Sequence, residues 1–225
     1  MDLYCFEHSM PASHYEIAAK AYSPSRVAKL KSKAFLAMDE LHGWCTKEKA
    51  ATLMDLVLML RPTTVVEIGV FGGKSLVPIA YALQEGGEGK IYGIDPWSSA
   101  ESIVGMDAAN REYWSNINHE DVYQGLLKKI SKFGLQDYIS LIRCTSEAAS
   151  PISNIDILHI DGNPSEENSL QDVMKWFPFV RSGGLIIVND IYWGAKQPAI
   201  FWLDQNCIEF TTFPGDNIWG IWIKP

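Results

Sequence analysis

Residues 64–75 read TVVEIGVFGGKS and decide the fold. The β-branched run Thr64–Ile68 is typical of a short buried strand, and it ends at Gly69. The glycines after it permit a tight turn and a close approach of the backbone to a ligand. A helix that follows such a turn points free N–H groups at an anion. The stretch therefore predicts a strand, a ligand-binding turn and a helix, which together form the first unit of an α/β sheet.

The same alternation continues to the C-terminus. Further strands are predicted at 90–94, 138–143, 155–160, 185–188, 207–213 and 218–223. Predicted helices alternate with most of these strands, and a short turn joins the last two strands into an antiparallel hairpin. We therefore expect an α/β fold with a mostly parallel seven-stranded sheet, a C-terminal antiparallel hairpin and helices on both faces. Ligands of such sheets bind beyond the carboxyl ends of the strands.

Two helices are predicted before the first strand. Ser23 is placed to cap one of them, which Gly43 would end, and Thr46 is placed to cap the other. We therefore divide the chain into an N-terminal helical extension or lid, residues 1–45, and a single globular domain, residues 46–225.

Composition excludes several classes of protein. The net charge is −8 and basic residues do not cluster, which argues against a nucleic-acid partner. No apolar run approaches the roughly 18 residues that a membrane span needs. The four cysteines lack paired metal-ligand spacing, and no leader peptide is recognised, so free thiols in a reducing cytoplasm are expected. The composition is close to that of an average globular protein.

Two familiar phosphate-binding turns are excluded at residues 67–75. A P-loop needs a glycine where Ile68 stands, and the dinucleotide fingerprint needs its second glycine where Phe71 stands. What remains is E-x-G-x-x-x-G, with Glu67 at the end of the strand. By itself this pattern is also compatible with a purely structural turn.

Four stretches together carry a family resemblance. They are GWCT at 43–46, VEIGVFGGKS at 66–75, IDPW at 94–97 and HIDGN at 159–163. They resemble a group of bacterial class I methyltransferases that are related to small metal-dependent O-methyltransferases. The likeness extends from about residue 44 to the C-terminus. It implies the Rossmann-like class I sheet and S-adenosylmethionine as the cofactor.

The resemblance also implies where the cofactor binds. The turn after the first strand would hold its methionine part, with Ser75 as a donor to the carboxylate. Asp95 would accept the ribose hydroxyls, and Ser146 with Glu147 would contact the adenine. The full set of predicted cofactor residues is Glu67, Gly69, Phe71, Gly72, Gly73, Ser75, Asp95, Pro96, Trp97, Ser146, Glu147 and Asp161.

Asp161, Asn189 and Asp190 follow neighbouring strands and offer oxygen atoms, which suit a hard cation such as magnesium. Two departures from the family weaken this expectation. Asn189 stands where an aspartate is common, so the site loses one charge, and metal binding is expected to be weaker or absent. Pro164 stands where the family carries a histidine that can act as a base.

Other groups could serve as the base. Asp190 could orient or deprotonate the acceptor, with a metal at Asp161. His119 lies in the polar and aromatic segment 97–121, which is expected to cover the carboxyl edge of the sheet. His159, on the strand that leads to Asp161, is expected to point to the other side and to be a buried structural residue.

Three functions remain open from the sequence. They are O-methylation of a small molecule, N-methylation of an amine, and a methyltransferase-fold protein that binds the cofactor or a partner without catalysis. Five aromatic residues follow the second and fifth strands, and they could form an acceptor pocket, a homodimer surface or simply core. They are Trp97, Tyr113, Trp114, Trp193 and Trp202.

Overall fold

A computed structural model describes residues 23–162, 165–214 and 218–225. Its helices there are α1 (Pro24–Met38), α2 (Lys47–Leu60), α3 (Leu76–Gly86), α4 (Ser99–Ser102), α5 (Ala108–Ser115), α6 (His119–Phe133), α7 (Glu166–Trp176) and α8 (Gln197–Asn206). The strands are β1 (Thr64–Ile68), β2 (Lys90–Ile94), β3 (Ile139–Ile142), β4 (Ile155–Ile160), β5 (Val180–Asn189), β6 (Ile208–Phe213) and β7 (Trp219–Ile223). Short 3-10 helices at Phe177–Phe179 and Gly194–Lys196 precede β5 and α8.

The seven strands form one sheet in the order β3-β2-β1-β4-β5-β7-β6. The pairs among β1 to β5 are parallel, whereas β7 runs antiparallel to both β5 and β6. The predicted seven-stranded, mostly parallel sheet with a C-terminal antiparallel hairpin is confirmed. The order of the strands reverses between β1 and β4, and such a reversal opens a crevice at their carboxyl ends.

Helices cover both faces of the sheet, as predicted. Helices α1, α2, α3 and α6 pack over one face, and α7 and α8 pack over the other. Alternate residues of a strand serve the two faces. Val65 and Val66 are both fully buried, and they belong to opposite layers of the core. Burial on both faces fixes the register of β1 and so the position of the turn that follows it.

Two element boundaries differ from the predictions by five residues, whereas the other strand ends agree to within one residue. Helix α1 ends at Met38, well before Gly43, which lies in the connection to α2 with a φ of 132°. A Cβ atom at Gly43 would lie 3.2 Å from Cβ of Lys74, so glycine is needed where this connection crosses the β1–α3 turn. Strand β5 begins at Val180 instead of 185.

The described part of the predicted extension packs on the domain through α1, which contacts α2 and α3. Residues 1–22, including Cys5, lie outside the described residues. Cys45, Cys144 and Cys207 are not joined in disulfides. Within 23–162, 165–214 and 218–225, no helix combines the length and the apolar character that crossing a membrane requires.

Candidate active site

A cavity of about 1170 Å³ opens at the carboxyl ends of β1, β2, β4 and β5. The predicted site residues that line it are Gly69, Phe71, Ser75, Asp95, Pro96, His119, Ser146, Glu147, Asp161, Asn189 and Asp190. Four predicted cofactor residues lie behind this wall, namely Glu67, Gly72, Gly73 and Trp97. The structure therefore brings most of the predicted site to one place.

Asp95 holds the turn after β1. Its Oδ2 accepts from the backbone N–H groups of Val70 at 3.0 Å and Phe71 at 2.9 Å, and its Oδ1 accepts from the N–H of Trp97 at 2.7 Å. The Trp97 indole N–H donates in turn to the carbonyl of Phe71 at 2.8 Å. Burial raises the pKa of Asp95. A carboxylate has about four acceptor positions, so three bonds leave it capacity for a ribose hydroxyl.

Two glycines of this turn lie so close to neighbouring backbone that a side chain would not fit. A Cβ atom at Gly69 would lie 2.4 Å from the carbonyl oxygen of Asp161, and one at Gly72 would lie 2.5 Å from the carbonyl oxygen of His42. Gly69 also has a φ of 84°, which L-residues rarely adopt. The end of β4 and the segment before α2 therefore both press against the turn, and only glycine leaves them room.

Glu67 and Ser75 are bonded to each other beneath the cavity. The Ser75 hydroxyl donates to Oε1 of Glu67, whose side chain is fully buried. The same Oε1 lies 3.2 Å from Nδ1 of His159, which is also fully buried. Ser75 lines the cavity, but its hydroxyl proton is already engaged, so its predicted role as a donor to the cofactor stays a prediction.

The expected direction of His159 is wrong. Ligand atoms of Glu67, His159 and Asp161 all lie within 4.8 Å of one another. His159 and Asp161 are two positions apart, and residues at that spacing share one side of a strand. The expectation that His159 is buried is confirmed.

A buried lysine contacts this cluster at His159. Lys49 is 3% exposed, and its ammonium donates to Oδ1 of Asn189 and lies 3.1 Å from Nε2 of His159. It was not predicted as a site residue, although the sequence carried a sign of it. Lys49 stands on the apolar stripe of α2, four and eight positions before Leu53 and Val57, where a charge is costly to bury.

A second buried lysine interacts with the carboxylates of this region. Lys196 is 1% exposed and interacts electrostatically with Asp161, Asp172 and Asp190. Burial lowers its pKa, whereas these three carboxylates act in the opposite direction. Lys196 stands directly before α8, whereas Lys49 lies within α2.

The magnesium site expected at Asp161, Asn189 and Asp190 does not fit these surroundings. The three side chains line the same cavity, and the charge of Asp161 raises the pKa of Asp190 further after burial has raised it. Lys49, however, donates to the Asn189 oxygen, and Lys196 interacts electrostatically with both carboxylates. The ammonium of Lys49 therefore already places a positive charge at the predicted metal ligands.

The predicted adenine corner is built from residues that the sequence did not single out. The Ser146 hydroxyl donates to Oδ1 of Asp172. Lys175 donates to the carbonyls of Ser146 at 2.7 Å and Ala149 at 3.0 Å, and also to that of Glu147. Burial raises the pKa of Asp172 to about 6.

Aromatic rings form the outer wall. Trp44 stacks on Phe71 at 5.4 Å, and Trp114 meets both rings edge-on at 5.6 and 5.3 Å. His119 stacks on Trp114 at 6.1 Å and interacts electrostatically with Asp95. Tyr113, Trp114 and Trp193 line the cavity as one of the predictions had it, whereas Trp97 is buried and Trp202 packs on Phe177. Pro164 and Asn163 lie outside the described residues.

Comparison with known proteins identifies the family. Residues 66–191 match the family of methyltransferase domains. No curated protein sequence matches the chain.

Solved structures share the fold at low identity. The O-methyltransferase from Bacillus cereus, in complex with SAH, is 14% identical with a TM-score of 0.59, over 94% of this chain and 97% of that one. The O-methyltransferase TomG from Streptomyces achromogenes, in complex with SAM, is 15% identical with a TM-score of 0.59, over 87% and 90%. The N-methyltransferase NodS from Bradyrhizobium japonicum is 12% identical with a TM-score of 0.54, over 80% and 96%.

The family match covers more than half of the chain and contains β2, β4, β5 and the last three residues of β1, the strands whose carboxyl ends form the cavity. The protein therefore belongs to the methyltransferase-domain family and has the fold of the class I S-adenosylmethionine-dependent methyltransferases.

Proposed function

We propose that the protein transfers the methyl group of S-adenosylmethionine to a hydroxyl group of a small molecule. One observation carries this proposal. A single cavity is lined on one side by the turn after β1 and by Asp95, and on the other side by Asp161 and Asp190. The cofactor and the acceptor can therefore meet in one space, and positioning two reactants is the main task of a methyltransferase.

The cofactor would lie along the ends of β1 and β2. Gly69, Phe71 and Ser75 would face its methionine part, Asp95 with Pro96 its ribose, and Ser146 with Glu147 its adenine. This assignment is supported by the wall of the cavity, which contains all of these residues. Glu67, Gly72, Gly73 and Trp97 would act by shaping the turn, since they do not line the cavity.

The reaction would use Asp190 as the base. The acceptor hydroxyl gives its proton to the Asp190 carboxylate while its oxygen forms a bond to the methyl carbon. The bond between that carbon and sulfur breaks, and its electron pair returns to sulfur. Burial and the neighbouring Asp161 raise the pKa of Asp190, which makes its carboxylate a better proton acceptor than an exposed one.

We assign two further roles near the reacting atoms. Asp161 would orient the acceptor, because it lines the cavity beside Asp190. His119 would cover the cofactor and not act as the base, because it stacks on Trp114 and interacts electrostatically with Asp95.

The outer wall suggests the kind of acceptor. Trp44, Tyr113, Trp114 and Trp193 line the cavity and remain about half exposed or partly exposed. Aromatic side chains at the mouth of a pocket favour flat, partly apolar ligands. We therefore expect a hydroxylated aromatic or similarly flat acceptor.

The test has two stages. Calorimetry with S-adenosylmethionine and with S-adenosylhomocysteine measures cofactor binding. Mass spectrometry then follows the addition of one methyl group to a panel of matched hydroxyl and amine acceptors. Methylation of hydroxyls alone supports the proposal, and methylation of amines alone replaces it with N-methylation. A protein that binds the cofactor and methylates neither class of acceptor is the non-catalytic alternative.

Three further expectations stay proposals. A cytoplasmic location is supported by the three described cysteines, which are not joined in disulfides. A homodimer is supported by Ile208 and Phe210, which are about 60% exposed on the edge strand β6, since exposed apolar edges invite pairing. A lid role for residues 1–45 is supported by His42, Gly43, Trp44 and Cys45, which line the cavity. Light scattering of the purified protein tests the dimer.

A further inference from the structure

Burying the ammonium of Lys49 costs free energy, so its position calls for an explanation. The apolar face of α2 carries Lys49 to His159 of β4 and Asn189 of β5. Lys49 is 3% exposed there. Taking a charge out of water requires compensating partners. The partners described are Oδ1 of Asn189 and Nε2 of His159, the latter at 3.1 Å.

The polar atoms around Lys49 can accept hydrogen bonds from a positively charged group. When Lys49 donates to Nε2 of His159, that nitrogen is an acceptor and Nδ1 carries the ring proton. Nδ1 then faces Oε1 of Glu67 at 3.2 Å, and the same oxygen accepts from Ser75. His159 therefore lies between the positively charged Lys49 and the negatively charged Glu67.

A divalent cation at this place would be repelled by the Lys49 ammonium. Glu67, His159 and Asp161 lie close enough together to hold a metal ion, and Nδ1 of His159 and Oε2 of Glu67 are buried without a hydrogen-bond partner among the described residues. Nε2 of His159, however, lies 3.1 Å from the Lys49 ammonium, so a metal bound to this ring would lie close to a positive charge. At the neighbouring carboxylates, Lys196 interacts electrostatically with both Asp161 and Asp190.

We propose that Lys49 takes the place of a divalent cation, so that methyl transfer in this protein does not require a metal ion. The catalytic part of this proposal rests on the proposed function, whereas the part about metal binding does not. Lys49 lines the cavity, and its described contacts use two of the three N–H donors of an ammonium. It can therefore donate to the acceptor oxygen.

The two lysines would act differently. As the acceptor proton passes to Asp190 and the oxygen bonds to the methyl carbon, Lys49 keeps its own proton and stabilises the negative charge on that oxygen. Lys196 does not line the cavity, and it would act on Asp161 and Asp190 only through its charge.

Metal binding is the first test, and it does not depend on activity. Electron paramagnetic resonance of Mn²⁺ is recorded with the chelator-treated protein, with and without S-adenosylhomocysteine. We expect no stoichiometric bound Mn²⁺ in the wild type. We expect stoichiometric binding in the double variant Lys49→Met with Asn189→Asp, in which the ammonium is gone and a carboxylate is restored. Stoichiometric binding by the wild type that Asp161→Asn abolishes would overturn the proposal.

Activity is the second test. Chelation should leave the wild-type rate on hydroxyl acceptors unchanged, and a rate that is lost on chelation and restored by Mg²⁺ would contradict the proposal. Lys49→Met should lower kcat about 100-fold, as loss of an oxyanion donor does. Its affinity for S-adenosylhomocysteine should stay within about threefold, and Lys49→Arg should recover part of the rate.

The matched control is Lys47→Met, because Lys47 begins the same helix but is exposed and pairs with Asp39 at the surface. Thermal unfolding of every variant separates loss of function from loss of the fold. If the wild type fails to bind the cofactor, the proposed function fails, and the Mn²⁺ measurement still decides whether Lys49 excludes a metal.

Discussion

Oδ2 of Asp95 accepts the backbone N–H of Phe71 at 2.9 Å, so the residue predicted to bind the ribose also ties the end of β2 to the turn after β1. Phe71 has a φ of 48°, a conformation that costs an L-residue free energy and needs support from its surroundings. A single carboxylate therefore joins the shape of the turn to the binding of the cofactor.

We expect Asp95→Ala to weaken binding of S-adenosylmethionine by at least tenfold, because each charge-assisted hydrogen bond contributes roughly 1.5–3 kcal/mol. The variant should also unfold more easily, since three backbone N–H groups lose their acceptor. Calorimetry and thermal unfolding measure the two effects. Asp137→Ala is the control at an exposed position, and an unchanged affinity in Asp95→Ala would remove the ribose assignment.

Gly69→Ala should destabilise the protein by at least about 2 kcal/mol, because the new Cβ atom meets backbone and the φ is unfavourable. The nearest atoms are the carbonyl group of Asp161 and the amide nitrogen of Gly162, all within 2.5 Å. Gly86→Ala is the matched control, since it lies in α3 with nothing within 4 Å of its Cβ position. Denaturant unfolding should show the control to be neutral or slightly stabilised, and equal losses in both variants would refute the steric argument.

Asp172 should make stability depend on pH. Its pKa is raised from 3.8 to about 6, so the native state holds the proton more tightly than the unfolded chain does. The contribution of this group is therefore most favourable below pH 4 and is lost as the pH rises to about 6, with no further change above. The raised pKa corresponds to about 3 kcal/mol in the free energy of unfolding.

Asp172→Asn isolates this effect, because asparagine stays neutral and its side-chain oxygen can still accept from Ser146. The difference in unfolding free energy between variant and wild type should grow in favour of the variant from pH 4 to 6 and then stay constant. Asp137→Asn should show no such trend. A flat difference for Asp172→Asn would mean that the carboxyl is not perturbed.

Asp190→Asn should lower kcat on hydroxyl acceptors by roughly 100-fold or more, as expected when a general base is removed. His119→Gln should lower kcat much less and should mainly affect cofactor affinity, because His119 interacts electrostatically with Asp95. Steady-state kinetics on one acceptor compares the two variants directly. The reverse ranking would make His119 the base.

The sequence predicted most of the sheet because its strands are short β-branched runs bounded by glycine or proline. The start of β5 escaped prediction because Arg181, Ser182 and two glycines give it no apolar pattern, and three of these four residues are exposed. Backbone bonds hold it instead, since the N–H of Gly183 donates to the carbonyl of Lys224 at 2.8 Å. The short helices α4 and α5 contain no buried residue and so no apolar stripe to recognise.

The site was predictable where its residues follow strands, as Asp95, Asp161 and Asp190 do. It was not predictable where a distant element supplies the group. Lys49 meets His159 and Asn189 from 110 and 140 positions away, and spacing along the chain carries no information at that range. The direction of His159 was predicted wrongly, although its spacing from Asp161 was sufficient to place both on one side.

The distance along the chain between Lys49 and Asn189 has a consequence for how the protein folds. During synthesis, α2 is complete long before β5 exists, and Lys49 then has neither Asn189 nor the carboxylates beyond it as partners. Docking α2 against an unfinished sheet would bury an uncompensated charge. The first helices are therefore expected to settle only after β5 has joined the sheet, which makes folding of the two halves a single cooperative event and leaves no N-terminal half that is stable by itself.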